Sequence, residues 1–358
     1  MRVTMRDVAQ HAGVSVKTVS RVVNREPHTR PEVIRRVRAS IDELGWVPNG
    51  SARALRTGRT GIVGIGVAEL RRPYLAGLVE ALVTEADRRG MQAAVEPTHR
   101  QAESVHRLLD ARGRVFDGVV LIGHDLPDSV SGALGAWPIV VVQGAPSQST
   151  SSSESAPSSQ STPSHGQASQ SAASQGGSDR VDEDVVEAAM LIARHLAVMG
   201  RTRPALIGSD RAGVSGFTLG ALAKAGIDPE SVPVVRLESP ADRRAGARAV
   251  GEVLAGCPEV DALVCVNDEV ALGALAALAA HGIAVPDQVA VIGYDNLEDG
   301  WFSTPSLTTI DPGRERIART AFDLLGSRLD GTAPEHAREV VLPARLIRRE
   351  STLGSGAG

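Results

Sequence analysis

Residues 4–24 read TMRDVAQHAGVSVKTVSRVVN. The stretch predicts two short helices joined by a tight turn. Thr4 and Asp7 have the spacing of a capping box, in which the hydroxyl takes an orphan backbone N–H of the first turn. Val8, Ala9 and Ala12 follow at helical spacing, and Gly13 stands where a left-handed residue ends a helix. Ser15 caps the second helix, whose buried face is Val19, Val22 and Val23. That leaves Val16, Lys17, Thr18, Ser20 and Arg21 turned outward. A short helix with polar and basic residues at its outward N-terminal end is what reading a DNA major groove requires.

Residues 29–44, TRPEVIRRVRASIDEL, predict a third helix. Thr29 and Glu32 have capping-box spacing, and Pro31 falls in the first turn, where its missing N–H does no harm. Ile34, Val37, Ile41 and Leu44 form the face for packing on the first two helices, and Gly45 ends the element. Residues 46–60, WVPNGSARALRTGRT, then form a linker in which Asn49 can cap a short helix over about 51–56. A helix that short is unstable alone in water.

Together with GWVPNGSARALRTGRTGIVGIGV (45–67), residues 4–24 resemble the lac repressor (LacI/GalR) family of bacterial transcription regulators. The resemblance implies that Val16, Lys17 and Arg21 face base edges, while Thr4, Thr18, Ser20 and Asn24 meet phosphates. It also implies that the linker is a hinge helix ordering on operator DNA. Asn49, Ala52 and Leu55 would belong to the DNA contact, Leu55 as an apolar wedge in a minor-groove step. Ordering about eight hinge residues costs roughly 1–2 kcal/mol each, or about 10 kcal/mol, which DNA and a partner hinge must offset.

Charge supports a divided chain. The net charge is −4, which alone argues against nucleic acid, yet residues 1–60 carry 12 Lys+Arg against 5 Asp+Glu, leaving 26 against 37 in the remainder. A basic head on an acidic body is the pattern of a DNA-binding module joined to something else. At 358 residues, two or three domains are expected. No run reaches the ~18–20 apolar residues of a membrane span, and no apolar leader opens the chain, so a cytoplasmic location is expected. Cys257 and Cys265 have no metal-ligand spacing, and reduced thiols are expected.

From Gly61 short apolar runs alternate with helical patterns. GIVGIGVA, MQAAVE, DGVVLIG and PIVVVQG predict strands, with helices near 74–89 and 102–111. GIVGIGV is strand rather than strand-turn-helix, so a dinucleotide fingerprint is set aside. Residues 147–178 hold no Leu, Ile, Val, Met or aromatic residue; a disordered Ser/Gln-rich insertion is expected. The β-α pattern then resumes with helices at 184–199, 214–225, 241–255, 269–281 and 314–329, strands RPALIGS, VPVVRLE, ALVCVN and VAVIGYD, and terminal strands in EVVLPARLIRR. Near-continuous apolar strands predict parallel sheets covered on both faces.

The expected fold class is thus an all-α helix-turn-helix head (1–46), a hinge (47–60) and an α/β core (61–350). The core resembles the two-subdomain type I periplasmic binding-protein-like fold that the family carries. The expected halves are 61–181 with 311–330, and 182–310 with 331–350. Doubly wound sheets bind ligands at the carboxyl ends of their strands. Candidates for a small polar effector, sugar-like or nucleoside-like, are therefore Tyr74, Gln143, Asn267, Asp268 and Asp295. Short amides and carboxylates suit hydroxyl-rich ligands, although Asx residues at strand ends also cap helices. In one departure, the family's arginine three residues before a Gly-aromatic pair is here Gly213, before Gly216 and Phe217. Arg211 is the nearest substitute.

No G-x-S-x-G, H-E-x-x-H or P-loop occurs, and the nine histidines are scattered, with His195 and His281 expected on helix surfaces. No catalytic residue, metal or cofactor is expected. The expected partners are a second copy of the chain, an inverted-repeat duplex operator and a small effector, but no membrane. A solute-binding protein is the alternative reading, sharing the core but having no use for a basic head. An architectural DNA binder would share the wedge but not need the large core.

Overall fold

The computed structural model describes residues 3–23, 26–27, 29–47, 58–123, 137–142, 178–208, 214–237 and 241–354. Asn24, Asn49, Ala52, Leu55, Gln143, Arg211 and Gly213, the expected hinge helix and all but the last residue of the 147–178 insertion lie outside them. The chain divides into two compact units, Met1–Gly61 and Ile62–Gly358.

In the first unit, α1 (Met5–His11) opens on the capping box: Thr4 Oγ1 accepts the Asp7 N–H at 3.5 Å, and the Thr4 N–H donates to Asp7 Oδ2 at 2.8 Å. Gly13 takes φ +60°, freeing the turn before α2 (Val16–Val23), and Ser15 Oγ accepts the Thr18 N–H at 3.1 Å. The third helix, α3 (Pro31–Leu44), differs from expectation at its start. Its N-cap is Arg30, without a side-chain cap, not Thr29. Pro31 holds the preceding residue in extended conformation, which places the cap one residue later and takes Thr29 and Glu32 out of capping register. Val8, Ala9, Ala12, Val19, Val22 and Val37 close the core together with Trp46, while His11 Nδ1 meets the buried Ser40 Oγ at 3.1 Å.

The second unit holds two six-stranded sheets. The first comprises β1 (Ile62–Val67), β2 (Gln92–Pro97), β3 (Gly118–Ile122), β4 (Ile139–Val142), β5 (Asp179–Glu183) and β11 (Glu339–Leu342), in the order β11-β5-β4-β3-β1-β2, all parallel. Ile65 lies opposite both Val95 and Val120. Alternation sends Val120 and Ile122 to the face covered by α4 (Pro73–Arg88) and α11 (Arg314–Leu329), while Val119 and Leu121 pack under α5 (Ala102–Asp110). The glycines of GIVGIGV serve this packing. A Cβ on Gly66 would come 2.7 Å from both Leu108 and Leu121, and one on Gly64 3.0 Å from the Phe116 ring.

The second sheet comprises β6 (Pro204–Gly208), β7 (Val234–Arg236), β8 (Ala262–Cys265), β9 (Ala290–Tyr294), β10 (Thr308–Asp311) and β12 (Arg345–Ile347), in the order β12-β10-β9-β8-β6-β7. Only β12 runs antiparallel among these pairings. The helices α6 (Val185–Val198) and α7 (Val214–Lys224) cover one face, and α8 (Arg243–Gly256) and α9 (Asp268–Ala280) the other. Two short helices, α10 (Glu298–Trp301) and α12 (Glu350–Leu353), complete the unit.

In the second unit, three further points differ from the sequence expectations. The strand β5, DRVDE, was not expected. It lies in the first sheet because Asp179, fully buried, receives Arg328 at 2.8 Å and Arg338 at 2.5 Å, so ion pairing replaces the apolar signal. Residues 331–350 do not all belong to the second half: β11 pairs with β5, and only after Leu342 does the chain cross to β12. His195 is buried rather than on a surface. The segment α12 covers it, and its Nε2 meets Thr352 Oγ1 at 2.9 Å. Burial, with Arg348 nearby, pushes its pKa below the usual imidazole value. His281 is exposed, its Nδ1 2.8 Å from the Ala277 carbonyl.

Candidate nucleic-acid interface and ligand cleft

On α2 the spacing that buries Val19 and Val22 turns Val16, Lys17 and Arg21 outward. Val16 is 42% exposed, and Lys17 and Arg21 are exposed. Lys17 and Arg21 stand four residues apart and so share one face. Arg21 Nε lies 3.7 Å from Glu26, both more than 45% exposed, a loose pairing that water screens. The smaller residues are more committed. Thr18 Oγ1 shares a 2.9 Å hydrogen bond with Ser15 Oγ, and Thr4 Oγ1 donates to Asp7 Oδ2 at 2.8 Å. The Thr4 backbone N–H, and after it the Thr4 hydroxyl, hold the Asp7 carboxyl below its ordinary range. Ser20 is half-buried beside Val19. A capped helix thus presents a methyl-bearing side chain, an ammonium and a guanidinium, the groups that meet thymine methyls and guanine O6 and N7.

In the second unit, residues following β1, β5, β8 and β9 converge where the two sheets meet. Asn267 is the N-cap of α9. Its Oδ1 accepts the Val270 N–H at 2.8 Å and its Nδ2 donates to the Ala241 carbonyl at 3.0 Å. Asp268 does not cap. Fully buried, it accepts the Leu297 N–H at 2.7 Å and the Thr309 hydroxyl at 2.6 Å, tying α9 to the segment after β9 and to β10. A Cβ on Gly293 would strike its Oδ1, so that glycine makes room for the carboxylate. Burial pushes the Asp268 carboxyl up to about 7 against the pull of those two donors. With both oxygens occupied, Asp268 is a pin beneath the cleft.

Asp295 follows β9 at φ +114°, its N–H donating to the Ile310 carbonyl at 2.9 Å. It is half-buried, and burial, then Asp268 and Glu183, push its carboxyl well above the ordinary value. Tyr294 Oη donates to Glu183 Oε2 at 2.7 Å, bridging the end of β9 in one sheet to the end of β5 in the other. Burial raises Glu183 to about 7. Tyr74, near the start of α4, is buried in the first sheet's core, close enough to Tyr294 to help raise its phenol. Arg72, preceding α4, pairs with Glu269 of α9 at 3.0 Å across the two halves. A cavity of about 730 Å³ opens at the ends of β1 and β2 among Glu69, Leu70, Arg71, Pro97 and His99.

The structure therefore brings Tyr74 and Asp295 toward one place, through Tyr294 and Glu183, and sets Asn267 and Asp268 into its framework. Sequence reasoning missed Arg72, Glu183 and Glu269. The strand-end rule that picked Asn267 covers Arg72 and Glu269 equally; Glu183 ends the strand that was not foreseen. Among the described residues no group of three or more His, Cys, Asp or Glu could hold a metal, and no helix is long and apolar enough to cross a membrane.

Residues 4–49 match the family model of bacterial regulatory proteins of the lacI family, and residues 193–352 match the periplasmic binding protein-like domain. A transcriptional regulator of the LacI family from Sanguibacter keddieii is 32% identical, over 82% of this chain and 99% of its own, with a TM-score of 0.66. The HTH-type transcriptional repressor PurR of Erwinia tasmaniensis is 29% identical over 359 residues, 97% of this chain and 96% of its own. The lac repressor dimer bound to operator and the anti-inducer ONPF shares the fold, with a TM-score of 0.72 over 98% of this chain and 99% of its own at 24% identity.

Proposed function

The chain belongs to the lacI family of bacterial regulatory proteins, as a DNA-binding transcriptional repressor with an effector-binding core, and from that premise we propose that two copies grip an inverted-repeat operator under control of a small polar effector. The observation that carries this reading is the outward face of α2. Val16, Lys17 and Arg21 read base edges, with Thr4, Thr18 and Ser20 set toward phosphates and Asn24 completing the contact. Asn49, Ala52 and Leu55 extend the contact to the minor groove at the operator centre. Two-fold symmetry of the protein calls for two-fold symmetry of the site.

The effector binds where the two sheets meet, with Tyr74, Asn267 and Asp295 about it and Gln143 and Arg211 contributing from neighbouring segments. Asp268 fixes the framework below. The ligand acts through unequal affinity for two arrangements of the halves, not by touching DNA. For the dimer we assign the neighbourhood of Trp301 and Phe302, adjacent aromatics that are 60% and 75% exposed. The similar lac repressor was captured as a dimer on operator, which favours a second copy as the occupant. A solute-binding role is disfavoured by the head, which such a protein has no use for.

Binding of the full chain to operator fragments recovered by footprinting, followed by fluorescence anisotropy with and without a sugar and nucleoside panel, tests this reading. Affinity should be symmetric about the operator centre, steep in salt, and altered by at least one ligand. Equal affinity for every duplex sequence would overturn it.

A further inference from the structure

The connection from β2 to α5 is held unusually. Thr98, fully buried, donates its N–H to the Val67 carbonyl at 2.8 Å and its hydroxyl to the same oxygen at 3.2 Å. The Gln101 N–H closes a turn on the Thr98 carbonyl at 2.9 Å. Between them, His99 has φ +53° and Arg100 φ +58°. A four-residue turn with both central residues left-handed has the handedness of type I′, which glycine and asparagine favour. Holding two larger residues there strains the backbone, and such strain gathers at ligand clamps and other functional sites.

Charge around this turn is unbalanced. Glu69 is taken by Arg100 at 3.0 Å, and Arg72 is taken by Glu269 at 3.0 Å. Arg71 and His99 are exposed and, among the described residues, have no hydrogen-bond or ion-pair partner. Both line the cavity of about 730 Å³, with Leu70 and Pro97 supplying apolar wall. That volume lies within the range of small-molecule sites, which pair apolar lining with a few placed polar groups. A guanidinium offers a planar fork that matches phosphate and carboxylate oxygens two at a time.

We propose that the pocket between the ends of β1 and β2 binds the anionic group, phosphate or carboxylate, of a small organic ligand, with Arg71 and His99 as its donors. This rests on the reading of the core as effector-binding and narrows the effector from any small polar molecule to one carrying an anion.

Thermal unfolding of the full chain with inorganic phosphate, and separately with acetate, each against sodium chloride at equal ionic strength, tests it. Phosphate or acetate should raise the melting temperature saturably where chloride does not, and whichever arm responds identifies the group. Arg71→Gln should weaken that binding about tenfold or more, the loss of a charged hydrogen-bond donor. His99→Gln should weaken it less, and Arg71→Lys should retain part of it. Both residues are exposed, so these variants keep the fold. Stabilisation no greater than chloride's, or undiminished in Arg71→Gln and His99→Gln, overturns the proposal. Should a neutral sugar or nucleoside stabilise the core while both anions fail, the anion pocket falls and the effector reading stands. Should nothing stabilise it, both fall.

Discussion

Arg72 Nε stands 3.0 Å from Glu269 Oε2, joining the start of α4 in one half of the core to the start of α9 in the other. The side chains are only 22% and 15% exposed, so solvent screens the pair weakly. Burial raises the Glu269 carboxyl, and Arg72 is the first charge that opposes the rise. Removing the arginine therefore strands a poorly solvated carboxylate. Arg72→Ala should cost about 1–3 kcal/mol of core stability. The double variant Arg72→Ala/Glu269→Ala should cost less than Arg72→Ala alone. Urea unfolding of the four proteins gives the coupling directly, and additive effects would mean the pair does not bind the halves together.

The core's stability should fall as pH rises toward neutrality. Glu183 and Asp268 both titrate near 7 in the folded chain, against ordinary values of 4.5 and 3.8. Between those limits the unfolded chain has released protons that the folded chain still holds, so each pH increment favours unfolding. The stabilisation is complete below the ordinary values and is lost as pH climbs through about 7. Asp179 has the opposite sign. Arg328 and Arg338 overcome its desolvation and hold it low, so its contribution appears above the ordinary value and fades in acid. Urea midpoints measured near about pH 5 and about pH 8 should differ in favour of the lower pH. Glu183→Gln, which cannot ionise, should flatten that slope.

Much of this arrangement was legible beforehand, and the omissions share one cause. Strands whose apolar residues run nearly unbroken, such as 62–67 and 290–294, announce burial on both faces by composition alone. The strand 179–183 carries one valine among four charged residues, and its partners Arg328 and Arg338 lie about 150 residues away. Only the fold brings the countercharges to Asp179. Asn267 illustrates the same limit at the cleft. Its position after a strand was readable, but whether its amide serves a helix or a ligand depends on the carbonyl of Ala241, which no local pattern places nearby.

The approach of α8 to α9 admits no side chain at two points. A Cβ on Gly246 would sit 2.1 Å from the Val270 carbonyl oxygen, and one on Gly273 1.9 Å from that of Arg243. Both obstacles are backbone, so relief requires the helices to part. Gly246→Ala and Gly273→Ala should each destabilise the core by about 3 kcal/mol or more, despite alanine's better helix propensity. Because α9 is capped by Asn267 and carries Asp268 and Glu269 in its first turn, the shift should also weaken ligand binding. Calorimetry on each variant checks the first effect, and ligand titration below the new melting temperature the second.

Lys17 and Arg21 make the sharpest case, because phosphate and base contacts leave different signatures. An ammonium or guanidinium that only neutralises phosphate lowers affinity for every sequence alike and reduces the salt slope by about 1. One that donates to guanine O6 and N7 costs about 1–3 kcal/mol on the cognate base and little elsewhere. The two residues lie on one face of α2, Lys17 in its first turn and Arg21 in its last, with Val16 exposed beside Lys17. Lys17→Ala and Arg21→Ala should therefore each relax preference at one operator position per half-site, and Val16→Ala at a thymine. Selection from randomised half-sites, read for the parent and the three variants, measures this position by position. A uniform loss for Lys17→Ala would assign that residue to the backbone and leave Arg21 as the basic reader. A variant with unchanged affinity and unchanged preference would remove its residue from the interface.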